Sequence, residues 1–213
     1  MSLLPIFLRL DRRPCLVVGA GTVALGKVES LRAAGAAVTV VAPEAVAQIR
    51  ELAEAGSLAW HRRIFAASDL EGVFVVIAAT NAPEVNHSVY EEALRRNVLC
   101  NAVDDPPNCD FYFGSVVARG DLQIASSTAG ESPALAQRLR REIDAQLPRD
   151  LGPWLGQLGA LRREVRANAP AGEARNLLLH ELAQRRLCGS SSCPTRRFAE
   201  EQIREMQKDE VVA

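Results

Sequence analysis

At 213 residues the chain has room for one large domain, or for a medium domain with a smaller companion. Its 48% apolar content supplies a real core, and a net charge of -1 gives no global pull toward nucleic acid or a membrane surface. No apolar run approaches the roughly 20 residues that span a bilayer. Residues 1–10 lack the basic and long apolar regions of a secretory signal. The five cysteines have no framework spacing, so a reducing cytoplasm is expected. Cys188 and Cys193 stand without neighbouring ligands and read as an incidental pair, and no metal site is expected. Of the 25 basic residues only Lys27 and Lys208 are lysines, a bias that genome composition accounts for.

Residues 15–19 form a short apolar run ending in glycine, as a buried parallel strand does. Residues 22–34 place Val23, Leu25, Val28 and Leu31 at helical spacing, and Gly35 stops the helix. A β-branched strand over 38–41, a helix over 43–55 ended by Gly56, and a strand over 58–61 follow. Residues 73–78 (VFVVIA) are apolar on both faces and predict a central strand. A helix over 83–96 and a strand over 98–102 complete an alternating pattern, which predicts a right-handed, doubly wound α/β sheet.

The pattern then changes. Strands over 112–118 and 122–126, separated by Arg119-Gly120-Asp121, predict a hairpin. From Pro133 onward the chain reads as helix. Leu135, Leu139, Ile143 and Leu147 make an i+4 stripe that suits core packing, with a subunit interface as an additional reading. Amphipathic helices are expected over 151–167 and 173–187. A Ser-rich linker over 189–194 and a charged, loosely held helix end the chain.

Gly19-Ala20-Gly21-Thr22-Val23-Ala24 fits G-x-G-x-x-A between a strand and a helix. The first glycine makes the tight turn, the second admits a pyrophosphate, and the small third position packs helix against strand. N–H groups at Thr22 and Val23 then face the phosphates from the helix start. The second strand ends Val41-Ala42-Pro43-Glu44. Glu44 lies slightly late for the ribose hydroxyls, so backbone at Pro43 shares that task. With no arginine beside Glu44 to hold a 2′-phosphate, NAD is expected over NADP.

Residues 101–133 narrow the chemistry. Asp104 and Asp105 lie just past a strand end, where open α/β sheets place their ligands. Either could accept a proton or cap the turn before Pro106-Pro107. Ser132 and Pro133 read as N-cap and first residue of a helix. The hydroxyls and N–H groups of Ser127, Thr128, Gly130 and Ser132 could also grip a carboxylate. His61, His87 and His180 lie in unrelated elements; His87, on a helix beside Asn86, reads as a solvated residue.

Four passages together resemble the precorrin-2 dehydrogenase family, the NAD-dependent module of sirohaem synthesis that sometimes also acts as a sirohydrochlorin ferrochelatase. They are Leu4-Pro5-Ile6-Phe7, Val17-Val18-Gly19-Ala20-Gly21 with Lys27, Asn101-Ala102-Val103-Asp104, and residues 126–136 (SSTAGESPALA). The resemblance runs from about Leu3 to Leu187. It implies an NAD-binding Rossmann domain over 1–112, a dimerisation segment over 113–149 and a helical domain over 150–213, with a flexible tail from about 188. It further implies a homodimer that oxidises precorrin-2 to sirohydrochlorin, with Asp104 as the catalytic residue, and in some members Fe2+ insertion. The competing reading is a non-catalytic NAD-sensing module. Such a sensor would keep a strong acid at the end of the second strand and would not need Asp104 or the Ser-rich turn.

Overall fold

A computed structural model describes residues 3–187, 190 and 193–212, without the side chains of 209–212. It resolves into two compact units, residues 1–113 with 129–131, and residues 114–128 with 132–213.

The first unit is the expected doubly wound sheet. Its five strands are β1 (Pro14–Val18), β2 (Ala37–Val41), β3 (Ala59–His61), β4 (Val75–Ala78) and β5 (Leu99–Ala102). They pair in parallel in the order β3-β2-β1-β4-β5. Helices α1 (Thr22–Ala33), α2 (Ala47–Glu54) and α3 (Pro83–Arg96) cover it. Two cores explain the continuous apolar runs. Val17, Val40 and Ile77 pack on one face with Val28 of α1 and Ile49 of α2. Leu16, Val18, Val76 and Ala78 pack on the other with Val89 and Ala93 of α3. Every residue of β4 is buried, as suits an interior strand between β1 and β5, although the middle strand of the five is β1.

Two boundaries depart from the sequence reading. The helix expected from residue 43 begins at Ala47, because Val46 donates its N–H to the Ala20 carbonyl at 3.0 Å. Residues 43–46 are thereby drawn to the loop after β1 instead of continuing the helix. The strand expected from residue 73 begins at Val75; Val73 N–H turns back to Leu70 O at 3.3 Å.

In the second unit, β6 (Ser115–Arg119) and β7 (Leu122–Ser126) form the antiparallel hairpin. Its turn is Gly120-Asp121, with Arg119 opposite Leu122, one residue shorter than expected. Gly120 has φ +59°, the positive value that tight hairpin turns favour at their first central residue. A Cβ on Gly152 would lie 2.9 Å from the Arg119 carbonyl group, so the start of α5 (Leu151–Asn168) rides directly on this turn. Arg119 also donates to the Asp144 and Leu147 carbonyls at 2.9 and 3.4 Å, and pairs with the Asp144 carboxylate at 2.8 Å. One arginine so caps the end of α4 (Pro133–Gln146) from the hairpin.

The i+4 stripe of α4 stays partly open: Leu135 is exposed, Leu139, Ile143 and Leu147 are half-buried, and Ala136 is the residue that is buried. Helix α6 (Glu173–Leu182) stops five residues short of the expected end; Gln184 and Arg185 N–H groups turn back to Glu181 and Leu182. The charged helix after the linker is present as α7 (Pro194–Val212). Its Ala199 and Ile203 share a core with Leu161, Val165, Leu178 and Leu182. The Thr195 hydroxyl fixes its start by donating to Arg186 O at 2.6 Å. Cys188 and residues 189, 191 and 192 of the Ser-rich linker lie outside the described residues.

Candidate functional site

The strand order places the topological switch between β1 and β4, the crevice where such sheets bind nucleotides. Gly19 leaves β1 with φ +103°, and a Cβ there would lie 2.3 Å from the Ala79 carbonyl oxygen after β4. The turn is therefore tight against the neighbouring strand. Gly21 is the N-cap of α1 and has no side chain to satisfy the helix start. A Cβ there would meet nothing within 4 Å, so open space lies before the first-turn N–H groups of α1. Thr22 and Val23 are exposed and no acidic residue occupies the first turn. Exposed donors, a positive helix end and empty space fit a pyrophosphate. Gly21→Asp is expected to weaken NADH binding about 100-fold at unchanged Tm, because the carboxylate fills the phosphate position; titration of NADH fluorescence measures it.

The other wall of the crevice was not foreseen. Asn86 of α3 is 6% exposed and clamps the loop after β4. Its Oδ1 accepts from Thr80 N at 3.1 Å and Thr80 Oγ1 at 2.7 Å, while its Nδ2 donates to Thr80 O at 3.1 Å. The signal was a polar residue on the buried side of an amphipathic helix. His87, next to it, is exposed and lies 3.6 Å from Glu91.

Past the end of β2, Pro43 and Glu44 are exposed. The expectation that no arginine sits beside them needs correction. Arg62 follows β3, the strand next to β2, and its Nε donates to Pro43 O at 3.3 Å. Sequence spacing hid this neighbour, since it arrives from a different strand. Trp60 Nε1 donates to Ala42 O at 3.0 Å and fixes the same strand end.

Asp104 follows β5 on the same C-terminal edge of the sheet, with φ +59°. A non-glycine residue in left-handed backbone is uncommon, and aspartate tolerates it better than most. The surrounding loop holds it there. Asp105 N–H bonds Ala102 O at 3.2 Å, and Cys109 Sγ lies 3.0 Å from Ala102 O and 3.3 Å from Asp105 O. Asn101 Nδ2 donates to Phe111 O at 2.7 Å. The two aspartates differ in their commitments. The Asp105 carboxylate is half-buried and accepts from Asn108 Nδ2 at 2.6 Å, whereas Asp104 is exposed. Burial raises the Cys109 thiol above its usual value and pushes Cys100 up to about 12, so both stay protonated and unreactive at neutral pH. Among the described residues no group of three or more His, Cys, Asp or Glu side chains could hold a metal ion.

In the second unit, the Ser-rich turn is built as a helix start. Ser132 Oγ accepts from Leu135 N at 3.3 Å, and Thr128 Oγ1 accepts from Ser132 N at 3.1 Å. Ala129 and Gly130 both have positive φ, 52° and 89°. Ser127 and Gly130 are exposed, while Thr128 and Ser132 are half-buried. Gly19, Gly21, Thr22, Val23, Pro43, Glu44, Asp104 and Gly130 belong to the first unit, and Ser127, Thr128 and Ser132 to the second. Ser132→Ala is expected to cost about 1 kcal/mol through the lost cap, read by thermal unfolding.

Comparison with known proteins agrees with this construction. A family model described as NAD(P)-binding matches residues 6–115, and one for the central part of the sirohaem biosynthesis protein matches residues 119–146. Siroheme synthase 3 of Aeromonas hydrophila is 44% identical over 82% of this chain and 38% of its own length. Siroheme synthase 1 of Serratia proteamaculans is 43% identical over 82% of the chain and 37% of its own length. The chain thus spans little more than a third of the length of these curated relatives. The solved structure of SirC, a precorrin-2 dehydrogenase, superposes with a TM-score of 0.76 at 29% identity, covering 95% of this chain and all of SirC. The sheet, the dinucleotide loop and the matched models agree: the chain belongs to the NAD(P)-binding family of sirohaem synthases and precorrin-2 dehydrogenases.

Proposed function

We propose that the chain is an NAD-dependent dehydrogenase that oxidises precorrin-2 to sirohydrochlorin in sirohaem synthesis. The observation that carries this reading is Asp104, exposed in left-handed backbone on the same sheet edge as the dinucleotide loop. Oxidising a reduced tetrapyrrole removes a hydride and a proton from the macrocycle. Bound NAD+ supplies the hydride acceptor. The chain's own part is to hold the pyrophosphate at the start of α1 and to take the proton. Asp104 is suited to that because its carboxylate is exposed, whereas Asp105 is committed to Asn108. Ser127, Thr128, Gly130 and Ser132 are read as donors to the peripheral carboxylates of the substrate. Similarity to SirC over nearly the whole chain supports the substrate.

The same carboxylate could draw off pyrrole protons while Fe2+, as a second substrate, enters the product; nothing about that step needs a resident metal. The partly open α4 stripe and the 45% exposed Val116 of β6 support a homodimer joined through this segment. The deciding experiment mixes the protein with NAD+ and freshly generated precorrin-2 and follows NADH absorbance. NADH formation is expected; none from demonstrably intact substrate would leave a dinucleotide-binding module as the better reading.

A further inference from the structure

Two arginines leave β3 side by side and are used differently. Arg63 is spent on structure: its Nη1 donates to the Asp69 carboxylate at 2.8 Å and to the Ile64 carbonyl at 3.1 Å. Arg62 is exposed, and its Nε donates to the Pro43 carbonyl at 3.3 Å. Among the described residues its two Nη groups have neither a hydrogen-bond partner nor a carboxylate at ion-pair distance. The corner that Arg62 holds is firmly built. Ala42 N–H donates to His61 O at 3.2 Å, which carries the pairing of β2 and β3 one residue past Val41, and Trp60 Nε1 holds Ala42 O at 3.0 Å. The same stretch is tied to the dinucleotide loop, with Gly19 N–H on Val41 O at 2.9 Å and Val46 N–H on Ala20 O at 3.0 Å. A guanidinium with an uncommitted fork therefore stands at the end of the second strand, on a loop bonded to the glycine turn.

In doubly wound folds the end of the second strand meets the adenosine ribose, where a carboxylate takes the 2′-hydroxyl and an arginine takes a 2′-phosphate. We propose that Arg62 is a specificity-determining residue for the cofactor: its Nη fork, held by the Nε tether to Pro43, binds the 2′-phosphate of NADP, so that the site takes NADP as well as NAD. This rests on the dinucleotide site, not on the identity of the substrate. Glu44 is the charge that opposes it, exposed one residue past Pro43. A carboxylate accepts from the ribose hydroxyl of NAD and repels a phosphate, so Arg62 and Glu44 pull the choice in opposite directions. Arginine suits the position better than lysine would. Its planar fork engages two phosphate oxygens while Nε stays on a carbonyl, which a single ammonium cannot do with the same geometry.

NADH and NADPH share one fluorophore, so titrating each protein with both reads the preference directly. The test uses wild type, Arg62→Ala, Arg62→Gln and Glu44→Gln at about 0.15 M salt, which screens unspecific charge. Wild type is expected to bind the two nucleotides within about 5-fold of each other. Arg62→Ala and Arg62→Gln should each lower the ratio of NADPH to NADH affinity about 30-fold, and Glu44→Gln should raise it about 3-fold. Arg62→Gln keeps a donor for the Pro43 carbonyl, so it decides if Arg62→Ala disturbs the corner and weakens both ligands. Wild type that binds NADPH more than about 30-fold more weakly than NADH overturns the proposal. So does an Arg62→Gln ratio equal to that of wild type, which would give the phosphate to another group. Equal loss of both ligands in Arg62→Gln also overturns it and makes Arg62 a brace for the loop. Wild type that binds neither nucleotide refutes the dinucleotide site itself, a result distinct from a working site indifferent to residue 62.

Discussion

Asp104→Asn is expected to slow NADH production from precorrin-2 by at least about 100-fold, the usual contribution of a positioned general base. Asparagine is the sharper probe than alanine. Asp104 has φ +59°, a conformation asparagine accepts as readily as aspartate, so the variant keeps the turn and loses only the basic oxygen pair. Asp104→Ala would add backbone strain of about 1 kcal/mol and confuse lost chemistry with a shifted loop. NADH affinity should remain within about 2-fold in the asparagine variant, since Asp104 follows β5 and the phosphate donors follow β1. An asparagine variant as fast as wild type would show that Asp104 shapes the turn and accepts no proton. Asp105→Asn is the natural control: its carboxylate already serves Asn108, and its loss should disturb the loop more than the chemistry.

Gly19→Ala is expected to cost about 3 kcal/mol and lower Tm by roughly 10 °C. Two causes add. The new Cβ would lie 2.3 Å from the Ala79 oxygen, a backbone atom that cannot step aside without disturbing β4, and φ is +103°. Gly21 is the contrast, because a Cβ there meets nothing within 4 Å. The two glycines of one motif should therefore fail differently, Gly19→Ala in thermal unfolding and Gly21→Asp in dinucleotide titration. Equal Tm values for wild type and Gly19→Ala would mean that β1 and β4 sit farther apart than the structure has them.

The doubly wound sheet was legible because β1 and β4 are buried on both faces and show unbroken apolar runs, β4 most clearly. The dinucleotide loop was legible because its glycines are local requirements of one turn. What the sequence concealed is what arrives from elsewhere in space. Arg62 reaches Pro43 from a neighbouring strand, and Thr80 with Asn86 braces the far wall of the crevice. Lys27 drew notice as one of two lysines and within a family pattern, and its place on the Phe113 ring needs a helix packed against the loop after β5. Element ends were misjudged where a single backbone bond decides them, as Val46 to Ala20 delays α2. The charged tail looked unattached because Phe198, Ala199, Ile203 and Met206 are sparse along the chain, yet they pack into one core.

The close approach of Gly152 to the Arg119-Gly120 turn bears on how movement could be transmitted. Two backbones separated by no side chain cannot slide past each other by even a methyl's width, and Arg119 rivets the same corner to the end of α4. The hairpin and the helices that flank it should behave as a stiff lever. A ligand that displaced residues 127–132 at one end of β7 would then be felt at the first turn of α5, at the other end of the hairpin.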